Sequence, residues 1–477
     1  MKAALEIAAA VRSGKVSATQ VLEDCLADIA WRAAPLLAVT RVLEERAREE
    51  AARIDALVAE GTDPGTLAGV PYGVKDLFDV AGLPTTAGST IYADAPPATE
   101  DAQAVARLRD AGAVLVATLN MDEFAYGFAT INAAHGTTRN PHDPSRLAGG
   151  SSGGSAAVVA AGLLPFSLGS DTNGSVRVPA SLTGTYGLKP THADLPLEGV
   201  FPFAKSFDDI GPFTTTMADM ACIWEVLSGH AAAQEGPRQR IARLGGRFRE
   251  NADPEQLAAI DAIAPDAPLI ELPDIARARS AAFLITACEG GALHREALAK
   301  DALAFDPATR DRLIAGALLP PDLYEEAQAF RAGYRAQVLA LTADFDVLLA
   351  PATPCVAPPV DDPRIEIDGK LVPARADLGI HTQPITFTGL PSLAVPLYRP
   401  GRLPLGLQLI GRPNGEADLF RFAMQLEQRG IIGSTPPAGG GNYRGRDAAS
   451  GGLGGQTRDA DRNDGSDARS AAPFGQA

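Results

Sequence analysis

The stretch LAGGSSGGSAAVVAAGLLPFSLGSDTNGSVRVPASLTGTYGLKP, residues 147–190, decides the fold of this chain. It contains two clusters of small residues, at 149–155 and 171–175, which are joined by an aliphatic run at 156–164. Glycine lets the backbone approach a ligand closely, serine supplies hydroxyl groups, and consecutive backbone N–H groups can converge on an anion. The pattern therefore predicts two serine-bearing loops on one buried helix, which could supply a nucleophile and an oxyanion hole.

The composition and the charge of the chain argue against several classes of function. Its 477 residues are 46% hydrophobic and 21% charged, the ordinary balance of a soluble globular protein. The net charge of −16 argues against a surface for nucleic acid or an anionic membrane. The four cysteines form no CxxC pair, which favours reduced thiols and a cytoplasmic protein. No apolar run is long enough to cross a membrane, and the N-terminus predicts a helix rather than a signal peptide.

Helices and short aliphatic strands alternate along the chain, a pattern typical of an α/β fold. Residues 69–76 predict a strand that ends near Lys75, and residues 101–111 predict a helix followed by a strand at 113–117. Residues 120–127 follow a strand end, where α/β enzymes tend to place ligand loops. The other expected elements are helices over 2–60, 217–227 and 417–429 and strands over 346–351, 390–396 and 404–410.

The domain organisation follows from changes in composition. We expect one domain over residues 1–435, within which residues 231–345 are rich in Ala, Arg and Glu and predict a mostly helical, variable region. Gly, Ser, Asp and Arg dominate residues 436–477. This composition predicts a disordered tail, because it can bury little apolar surface to offset the entropy of ordering.

Lys75 is the first candidate for chemistry outside the two serine loops. A lysine at the end of a strand is usually solvated, but Lys75 has apolar flanks on both sides, which favour burial. Burial disfavours the charged form of a lysine and lowers its pKa. Lys75 could therefore act as a base.

Two pairs of charged residues near these motifs favour structural roles. Asp122 and Glu123 are adjacent, and adjacent residues do not face each other on a helix, so a capping or structural role is the better interpretation. Asp171 and Arg177 flank the second small-residue cluster. We expect them to pair and to brace its loop rather than to act in catalysis.

The sequence lacks the motifs of several common catalytic and cofactor sites. There is no GxxxxGK[ST] loop and no GxGxxG turn, so no nucleotide or other cofactor is expected. The six histidines are scattered without an HExxH pair, so no metal site is expected. Ser175 does not lie in a GxSxG elbow, because Val176 and Arg177 follow it, so a hydrolase built on Ser175 needs a base other than a triad histidine, and Lys75 is the natural candidate.

Lys75, the Gly-Gly-Ser-Ser-Gly-Gly cluster around Ser151, and Ser175 together resemble the amidase signature family. Three separated motifs occur in the order that the family shows, and the resemblance covers roughly residues 5–430. It implies an α/β fold with a large mixed central sheet, helices on both faces and a helical variable region. It also implies an amidohydrolase that uses no cofactor.

The resemblance further implies a Ser–cis-Ser–Lys triad. Neutral Lys75 would accept a proton from Ser151, which follows a cis peptide bond, and Ser151 would accept one from Ser175, the nucleophile. The backbone N–H groups of Thr172, Asn173, Gly174 and Ser175 would form the oxyanion hole. Water would then hydrolyse the acyl-enzyme.

One departure from the common family pattern indicates a branch. The second loop usually reads Asp-Thr-Gly-Gly-Ser, whereas Asn173 replaces the first glycine here. With this loop, segments such as NMDEFAYGF, LITACEG, FDPATRDRLIAGAL and HTQPITFTGLPSLAVP resemble a branch that hydrolyses small, anionic, urea-like amides. That resemblance implies 1-carboxybiuret as the substrate, release of ammonia, and an oligomer with a small partner subunit.

An anionic substrate of this kind requires a cationic or amide-rich pocket. Tyr126 and Gly127 correspond to the loop that lines the pocket in the family, although Tyr126 is equally well explained as a packing aromatic residue. Gln383, with its neighbours His381 and Thr382, is a further candidate for substrate binding.

Two other functions remain as alternatives. The first is the glutaminase subunit of a tRNA-dependent amidotransferase, which would require a tRNA-binding partner. The second is a scaffold that keeps the fold without the chemistry, and the presence of Lys75, Ser151 and Ser175 argues against it. Neither nucleic acid nor a membrane is expected as a direct partner of this chain.

Overall fold

The computed structural model of the chain describes residues 3–232 and 235–437. The strands within these ranges are β1 (Val39–Val42), β2 (Pro71–Lys75), β3 (Val114–Leu119), β4 (Ile131–Asn132), β5 (Gly136–Thr137), β6 (Arg139–Asn140), β7 (Asp143–Leu147), β8 (Phe166–Asp171), β9 (Tyr186–Lys189), β10 (Asp209–Thr214), β11 (Ile241–Leu244), β12 (Leu269–Ile270), β13 (Val347–Pro351), β14 (Arg364–Ile367), β15 (Lys370–Pro373), β16 (Ser392–Pro396) and β17 (Gly406–Gly411). The helices are α1 (Ala4–Arg12), α2 (Ala18–Arg32), α3 (Glu44–Ala59), α4 (Gln103–Asp110), α5 (Gly153–Ala160), α6 (Arg177–Thr183), α7 (Met217–Ser228), α8 (Arg247–Glu250), α9 (Pro254–Ile263), α10 (Ile275–Leu293), α11 (Arg295–Asp301), α12 (Pro307–Ala317), α13 (Pro321–Thr342), α14 (Ala374–Asp377), α15 (Gln383–Thr386) and α16 (Glu416–Gln428).

Eleven strands of the described ranges form one mixed sheet, in the order β1-β3-β2-β8-β10-β9-β16-β17-β13-β11-β12. β2 is parallel to both of its neighbours, β3 and β8. The pairings from β8 through β10, β9, β16 and β17 to β13 are antiparallel. Helices pack against the sheet, for example α5 against β2 and β8, and α16 against β16 and β17. The predicted α/β fold with a large mixed central sheet is thereby confirmed.

The first sixty residues contain the predicted helices and one strand that was not predicted. Ser17 caps the N-terminus of α2, because its hydroxyl accepts a hydrogen bond from the Gln20 N–H at 3.0 Å. β1 lies between α2 and α3 and pairs antiparallel with β3 at one edge of the sheet. The prediction of helix alone over residues 2–60 was wrong for β1, because its four residues are too few to show the two-residue period of a strand.

The region 231–345 is largely helical, as predicted, and carries α8 to α13. It also contributes β11 and β12, which pair in parallel with each other and extend the central sheet beyond β13. These strands have four and two residues. Strands this short are defined by the strands with which they pair rather than by a pattern in their own sequence. The composition of the region therefore did not predict them.

The parallel strands β2 and β8 end at the same edge of the sheet and carry residues of the predicted site. Val74 pairs with Leu168 in the register of these strands, so the chain leaves the sheet at neighbouring points after Lys75 and after Asp171. α5 precedes β8, and all eight of its residues are buried. The aliphatic run of the opening stretch therefore forms a fixed support for the loops on either side of it, because full burial of a valine side chain contributes about 1.5–3 kcal/mol.

The later elements agree with the prediction as well. The strands expected near 346–351, 390–396 and 404–410 are β13, β16 and β17, and the last expected helix is α16. In the described ranges no helix combines the length and the apolar content that a membrane crossing requires. Residues 438–477 lie outside these ranges, so the tail over 436–477 and the domain over 1–435 stay predictions.

Candidate active site

Lys75 ends β2 and is completely buried, as its apolar flanks predicted. Its amine Nζ donates a hydrogen bond to the Ser151 hydroxyl at 2.7 Å and another to the Ser170 hydroxyl at 2.8 Å. Ser151 is fully buried, and Ser170 is 5% exposed. Within the described residues Lys75 forms no ion pair with a carboxylate, so its partners are two neutral hydroxyl groups.

Burial lowers the pKa of Lys75 to about 7, because loss of hydration disfavours the ammonium form. The negative charges of Asp122, Asp171 and Asp208 act in the opposite direction but do not offset this effect. A substantial fraction of the amine is therefore uncharged near neutral pH. An uncharged amine in contact with the Ser151 hydroxyl can accept a proton from it.

Asp122 and Glu123 hold neighbouring loops in place, as predicted. The Asp122 carboxylate accepts hydrogen bonds from three consecutive N–H groups of residues 129–131, at 2.9–3.1 Å. The Glu123 carboxylate accepts from the Ser89 hydroxyl at 2.7 Å and from the Asp306 N–H at 2.9 Å. Burial raises the pKa of Glu123 to about 7. Both carboxylates are occupied by protein donors, which supports their structural roles.

The first serine loop packs tightly against Asp122. The peptide bond Gly150–Ser151 is cis, as the family resemblance implied. A Cβ atom at position 150 would lie 2.4 Å from the Asp122 Oδ2, so only glycine fits there. The Ser151 carbonyl accepts hydrogen bonds from the Asp122 N–H at 3.2 Å and from the Thr130 hydroxyl at 3.3 Å. Ser151 is therefore held on its backbone side as well as by Lys75.

Asp171 and Arg177 form a fully buried ion pair beneath the second serine loop. Two guanidinium nitrogens donate to the carboxylate, each at 3.0 Å, and the N–H groups of Gly174 and Val176 donate to it at 2.7 and 3.2 Å. Burial raises the pKa of Asp171, but the charge and the hydrogen bonds of Arg177 outweigh this, so the net shift is downward. The carboxylate stays ionised, and the predicted brace of the loop is confirmed.

The turn before Ser175 requires glycine at position 174. The φ angle of Gly174 is +132°, and a Cβ atom there would lie 2.0 Å from the Thr382 hydroxyl oxygen. The Gly174 N–H is already bonded to Asp171, whereas the N–H groups of Thr172, Asn173 and Ser175 have no acceptor among the described residues. Three of the four backbone donors predicted for an oxyanion hole are therefore available.

Ser175 lies on the loop next to Ser151 and is 2% exposed. Its carbonyl accepts a hydrogen bond from the Ser152 N–H at 3.3 Å, which joins the two serine loops through their backbones. The hydroxyl groups of Ser175 and Ser151 share no hydrogen bond in the described part of the chain. Hydrogen bonds between catalytic groups are often long without substrate and shorten when it binds. The structure thus joins Lys75 to Ser151 directly and places Ser175 on the adjoining loop.

Ser175 lines a small pocket whose walls come from several parts of the chain. Tyr126 and Gly127, both predicted to bind substrate, lie in this wall, and the Tyr126 ring packs on Phe203 with 4.8 Å between ring centroids. The full set of lining residues is Ala125, Tyr126, Gly127, Phe128, Thr172, Asn173, Ser175, Phe203, Phe283, Thr286, Arg312 and Arg375.

Two arginines give this pocket a positive wall. The Arg312 guanidinium lies 4.0 Å from the centre of the Tyr126 ring and donates to the Tyr126 carbonyl at 3.4 Å. Arg312 forms no ion pair with a carboxylate within the described ranges. Burial lowers the pKa of Arg312, and the charge of the nearby Arg375 adds to this lowering. Arg375 lies 3.6 Å from Asp122, and its Nε has no acceptor among the described residues. The pocket therefore carries positive charge that the protein neutralises only in part.

Asn173 reaches from the second serine loop to α10. Its Nδ2 donates to the Thr286 hydroxyl at 3.0 Å, and its carbonyl accepts from the Thr382 hydroxyl at 2.9 Å. The residue is 7% exposed, and its Oδ1 accepts no hydrogen bond from the described residues. The residue that departs from the common family pattern is therefore part of the pocket wall.

Gln383, the third residue predicted to bind substrate, does not line this pocket. It is completely buried at the start of α15, which packs against α10, and neither of its amide atoms has a partner in the described ranges. His381 is buried against the Phe248 ring at 5.8 Å between centroids, and burial lowers the pKa of His381 to about 3. Since Thr382 bonds to the Asn173 carbonyl, the segment 381–383 packs beneath the loop rather than facing the pocket.

Arg312, Arg375 and Ser170 were not predicted from the sequence as site residues. Arg312 lies three residues after Thr309 and four before Gly316, both buried on α12, so the helical period places it on the buried side. That spacing is a signal that could have identified it. Ser170 directly precedes the second small-residue cluster, which is a local signal, whereas Arg375 lies near the site only because distant segments meet there.

The described ranges hold no group of three or more His, Cys, Asp or Glu side chains that could bind a metal ion. The four cysteines are free thiols. Burial raises the pKa of Cys25 to about 12 and that of Cys222 to about 11, so these two thiols are poor nucleophiles at neutral pH.

Comparison with known proteins gives the family of the chain. The family model described as Amidase matches residues 20–255 and 271–420. The chain is 45% identical over 450 residues to AtzE of Pseudomonas sp. (strain ADP), which belongs to a 1-carboxybiuret hydrolase as one of its subunits; the match covers 90% of this chain and 98% of that protein. It is 35% identical over 460 residues to one of the subunits of the glutamyl-tRNA(Gln) amidotransferase of Chloroflexus aurantiacus, a match that covers 87% of this chain and 93% of that protein.

Solved structures agree with the sequence matches. One belongs to an unexpected vestigial protein complex described as revealing the evolutionary origins of an s-triazine catabolic enzyme. It matches with a TM-score of 0.88 at 44% identity, over 91% of this chain and 100% of the other. The ranges matched by the family model include Lys75, both serine loops and the two pocket arginines. The chain therefore belongs to the amidase family, the amidase signature enzymes, and is a hydrolase of amide C–N bonds.

Proposed function

We propose that the protein hydrolyses the terminal C–N bond of a small, anionic, urea-like amide, with 1-carboxybiuret as the best candidate, and releases ammonia. Two features that occur together carry this proposal: the buried Lys75 amine, whose pKa burial lowers to about 7, is hydrogen-bonded to the Ser151 hydroxyl, and the pocket at Ser175 contains Arg312, which has no ion-pair partner in the described ranges. The first feature suits amide hydrolysis, and the second suits a substrate carboxylate.

The reaction begins with proton transfer along the three side chains. The uncharged amine of Lys75 accepts the proton of the Ser151 hydroxyl, and Ser151 accepts the proton of Ser175 as the Ser175 oxygen attacks the amide carbon. The amide C–N bond then breaks, the transferred proton returns to the leaving nitrogen, and ammonia departs. Water attacks the acyl-enzyme, which releases the carboxylate product and restores the Ser175 hydroxyl.

The negative oxygen of the tetrahedral intermediate is stabilised by backbone donors of the second serine loop. The N–H groups of Thr172, Asn173 and Ser175 have this role, because the fourth predicted donor, Gly174, is already bonded to Asp171. Loss of one such donor typically lowers kcat by about 100- to 1,000-fold. The buried pair of Asp171 and Arg177 keeps these donors in position.

The choice of substrate is supported by charge and by similarity. A guanidinium can bind a carboxylate with two parallel hydrogen bonds, and Arg312 and Arg375 both line the pocket. The relative that is 45% identical, AtzE, belongs to a 1-carboxybiuret hydrolase. A pocket of this charge suits 1-carboxybiuret, which is anionic, better than biuret, which has no charge.

The same relative supports assembly with a second chain. AtzE is described as one of the subunits of its enzyme, and the solved structure with a TM-score of 0.88 is described as a protein complex. We propose that this chain likewise works together with a small partner subunit.

Ammonia release from a small set of substrates tests the proposed function. The purified full-length chain is incubated separately with 1-carboxybiuret, allophanate, biuret and L-glutamine, and ammonia is measured over time. We expect the highest kcat/KM with 1-carboxybiuret and a lower value with uncharged biuret. Absence of ammonia from all four would contradict the proposal, and fastest release from L-glutamine would favour the amidotransferase alternative.

A further inference from the structure

A buried polar atom without a hydrogen-bond partner lies beside the proposed nucleophile. The Oδ1 of Asn173 is enclosed and accepts no hydrogen bond from the described residues, although Asn173 lines the pocket together with Ser175. Buried acceptors in proteins are almost always paired, because an unpaired one has lost its hydration without compensation. In a ligand pocket, such an atom indicates that the ligand supplies the donor.

The orientation of the Asn173 side chain is fixed from two sides. Its Nδ2 donates to the Thr286 hydroxyl on α10 at 3.0 Å, which directs the amide nitrogen towards that helix. Its backbone carbonyl accepts from the Thr382 hydroxyl at 2.9 Å, which fixes the loop itself. Both threonines are buried. One N–H of the amide is thus engaged, and Oδ1 is the atom of this side chain that has no hydrogen-bond partner in the described ranges.

The place of Asn173 in the loop indicates which part of a substrate it contacts. The backbone N–H groups of residues 172, 173 and 175 are the available donors for the scissile carbonyl oxygen. Because Asn173 and Ser175 line the same pocket, we place the Asn173 side chain beside the group attached to that carbonyl. Because Oδ1 is only an acceptor, it favours an N–H group there over a CH2 group.

The other polar side chains of the wall complement this acceptor. Arg312 and Arg375 are donors with positive charge, and they suit the carboxylate end of a substrate. The pocket thus offers donors for a carboxylate and, in the Asn173 Oδ1, an unpaired acceptor for an N–H group. Glycine, which occupies position 173 in the common family pattern, has no side-chain acceptor.

We propose that Asn173 is a specificity-determining residue that selects ureido substrates, with an N–H group beside the scissile carbonyl, over alkyl amides with CH2 at that position. This inference rests on the proposed function, because it assigns part of the substrate to the same pocket. It concerns selection between substrates and assigns no proton transfer to the Asn173 side chain.

Two ligands that differ at one group test the proposal. Hydantoate carries an N–H group beside its terminal amide carbonyl, and succinamate carries CH2 in the same place. Their dissociation constants are measured by calorimetry with the Ser175→Ala protein, in which turnover is prevented. We expect hydantoate to bind about tenfold more tightly, which is the effect of one net hydrogen bond.

The Asn173→Ala and Asn173→Gly changes in the Ser175→Ala background identify the side chain responsible. We expect the preference for hydantoate to fall to about twofold or less, because the acceptor is gone. Succinamate is the internal control, since its affinity reports whether the pocket is intact and should change by less than about twofold. The glycine variant carries the residue of the common family pattern and keeps the test valid if the alanine variant does not fold.

Three results would overturn the proposal. The first is equal affinity of the two ligands for the protein that carries only Ser175→Ala. The second is a preference for hydantoate that persists in both Asn173 variants. The third is no binding of either ligand. The proposed function is tested separately by ammonia release from active enzyme. Ammonia release that is abolished by Ser175→Ala would leave the amidase function in place even if Asn173 proved to have no part in selection.

Discussion

In the proposed catalytic core, formed by Lys75, Ser151, Ser175 and the ion pair of Asp171 and Arg177, the charged groups are bonded to the protein itself. In the pocket wall, Arg312 has no ion pair and Asn173 has an unpaired Oδ1 in the described ranges. The charged groups of the core are satisfied without a ligand, whereas the wall keeps groups that a ligand can satisfy. We infer that proton transfer and substrate selection use different side chains.

The largest expected effect comes from the proposed nucleophile. We expect Ser175→Ala to lower kcat for ammonia release by at least about 10⁴-fold, because no other group of the core replaces its oxygen. Ser155→Ala is the matched control, since Ser155 is also buried nearby but its hydroxyl donates only to the Leu168 carbonyl. Activity of Ser175→Ala comparable with that of the control would show that the nucleophile lies elsewhere.

The second largest expected effect is a loss of stability when the ion pair of Asp171 and Arg177, which braces the second serine loop, is broken. Asp171→Asn leaves the Arg177 guanidinium buried without its counter-charge, so we expect a loss of about 3–5 kcal/mol in unfolding free energy. Urea denaturation followed by circular dichroism measures this change. Glu23→Gln breaks an ion pair with Arg48 in which both side chains are more than 40% exposed, and we expect a much smaller loss, because water and salt screen an exposed pair. Equal losses in the two variants would refute the role of burial in this brace.

Removal of Arg312 should have a smaller effect, and that effect distinguishes the role of the pocket wall from that of the core. We expect Arg312→Ala to raise KM for 1-carboxybiuret by about 10- to 100-fold with a much smaller change in kcat, because the lost contact binds the substrate carboxylate rather than the reacting bond. KM for uncharged biuret should change little. Arg310→Ala is the control on the same helix, since Arg310 pairs with Asp311 and does not line the pocket. A fall in kcat that is equal for both substrates would assign Arg312 to the core instead.

The sequence predicted much of the proposed catalytic core because its features are local. Apolar residues on both sides of Lys75 indicated burial, and the run before β8 indicated the buried helix α5. The positions of Asp171 and Arg177 around the small-residue cluster indicated the ion pair that braces the loop. In each case the physical cause lies within a few residues of the group concerned.

The pocket wall could not be predicted in the same way, because it is assembled from distant segments. Arg375 lies on the four-residue helix α14, whose sequence gives no sign of a site, and the helical spacing of Arg312 on α12 indicates burial but not the pocket that it lines. Gln383 lies close in sequence to the segment that supports the loop, yet α15 packs it into the core. The unpaired Oδ1 of Asn173 depends on Thr286, which is 113 residues further along the chain. Such groups become recognisable only from their contacts.

The pH dependence of ammonia release in the unmodified enzyme tests the role of Lys75 most directly. Below its pKa of about 7 the amine is protonated and cannot accept the Ser151 proton, and above it the amine is free to do so. We therefore expect kcat/KM to rise about tenfold per pH unit between about pH 5 and 6.5 and to become level above about pH 8. A kcat/KM that stays constant from about pH 5 to 8, or that falls as the pH rises, would contradict an uncharged Lys75 as the base.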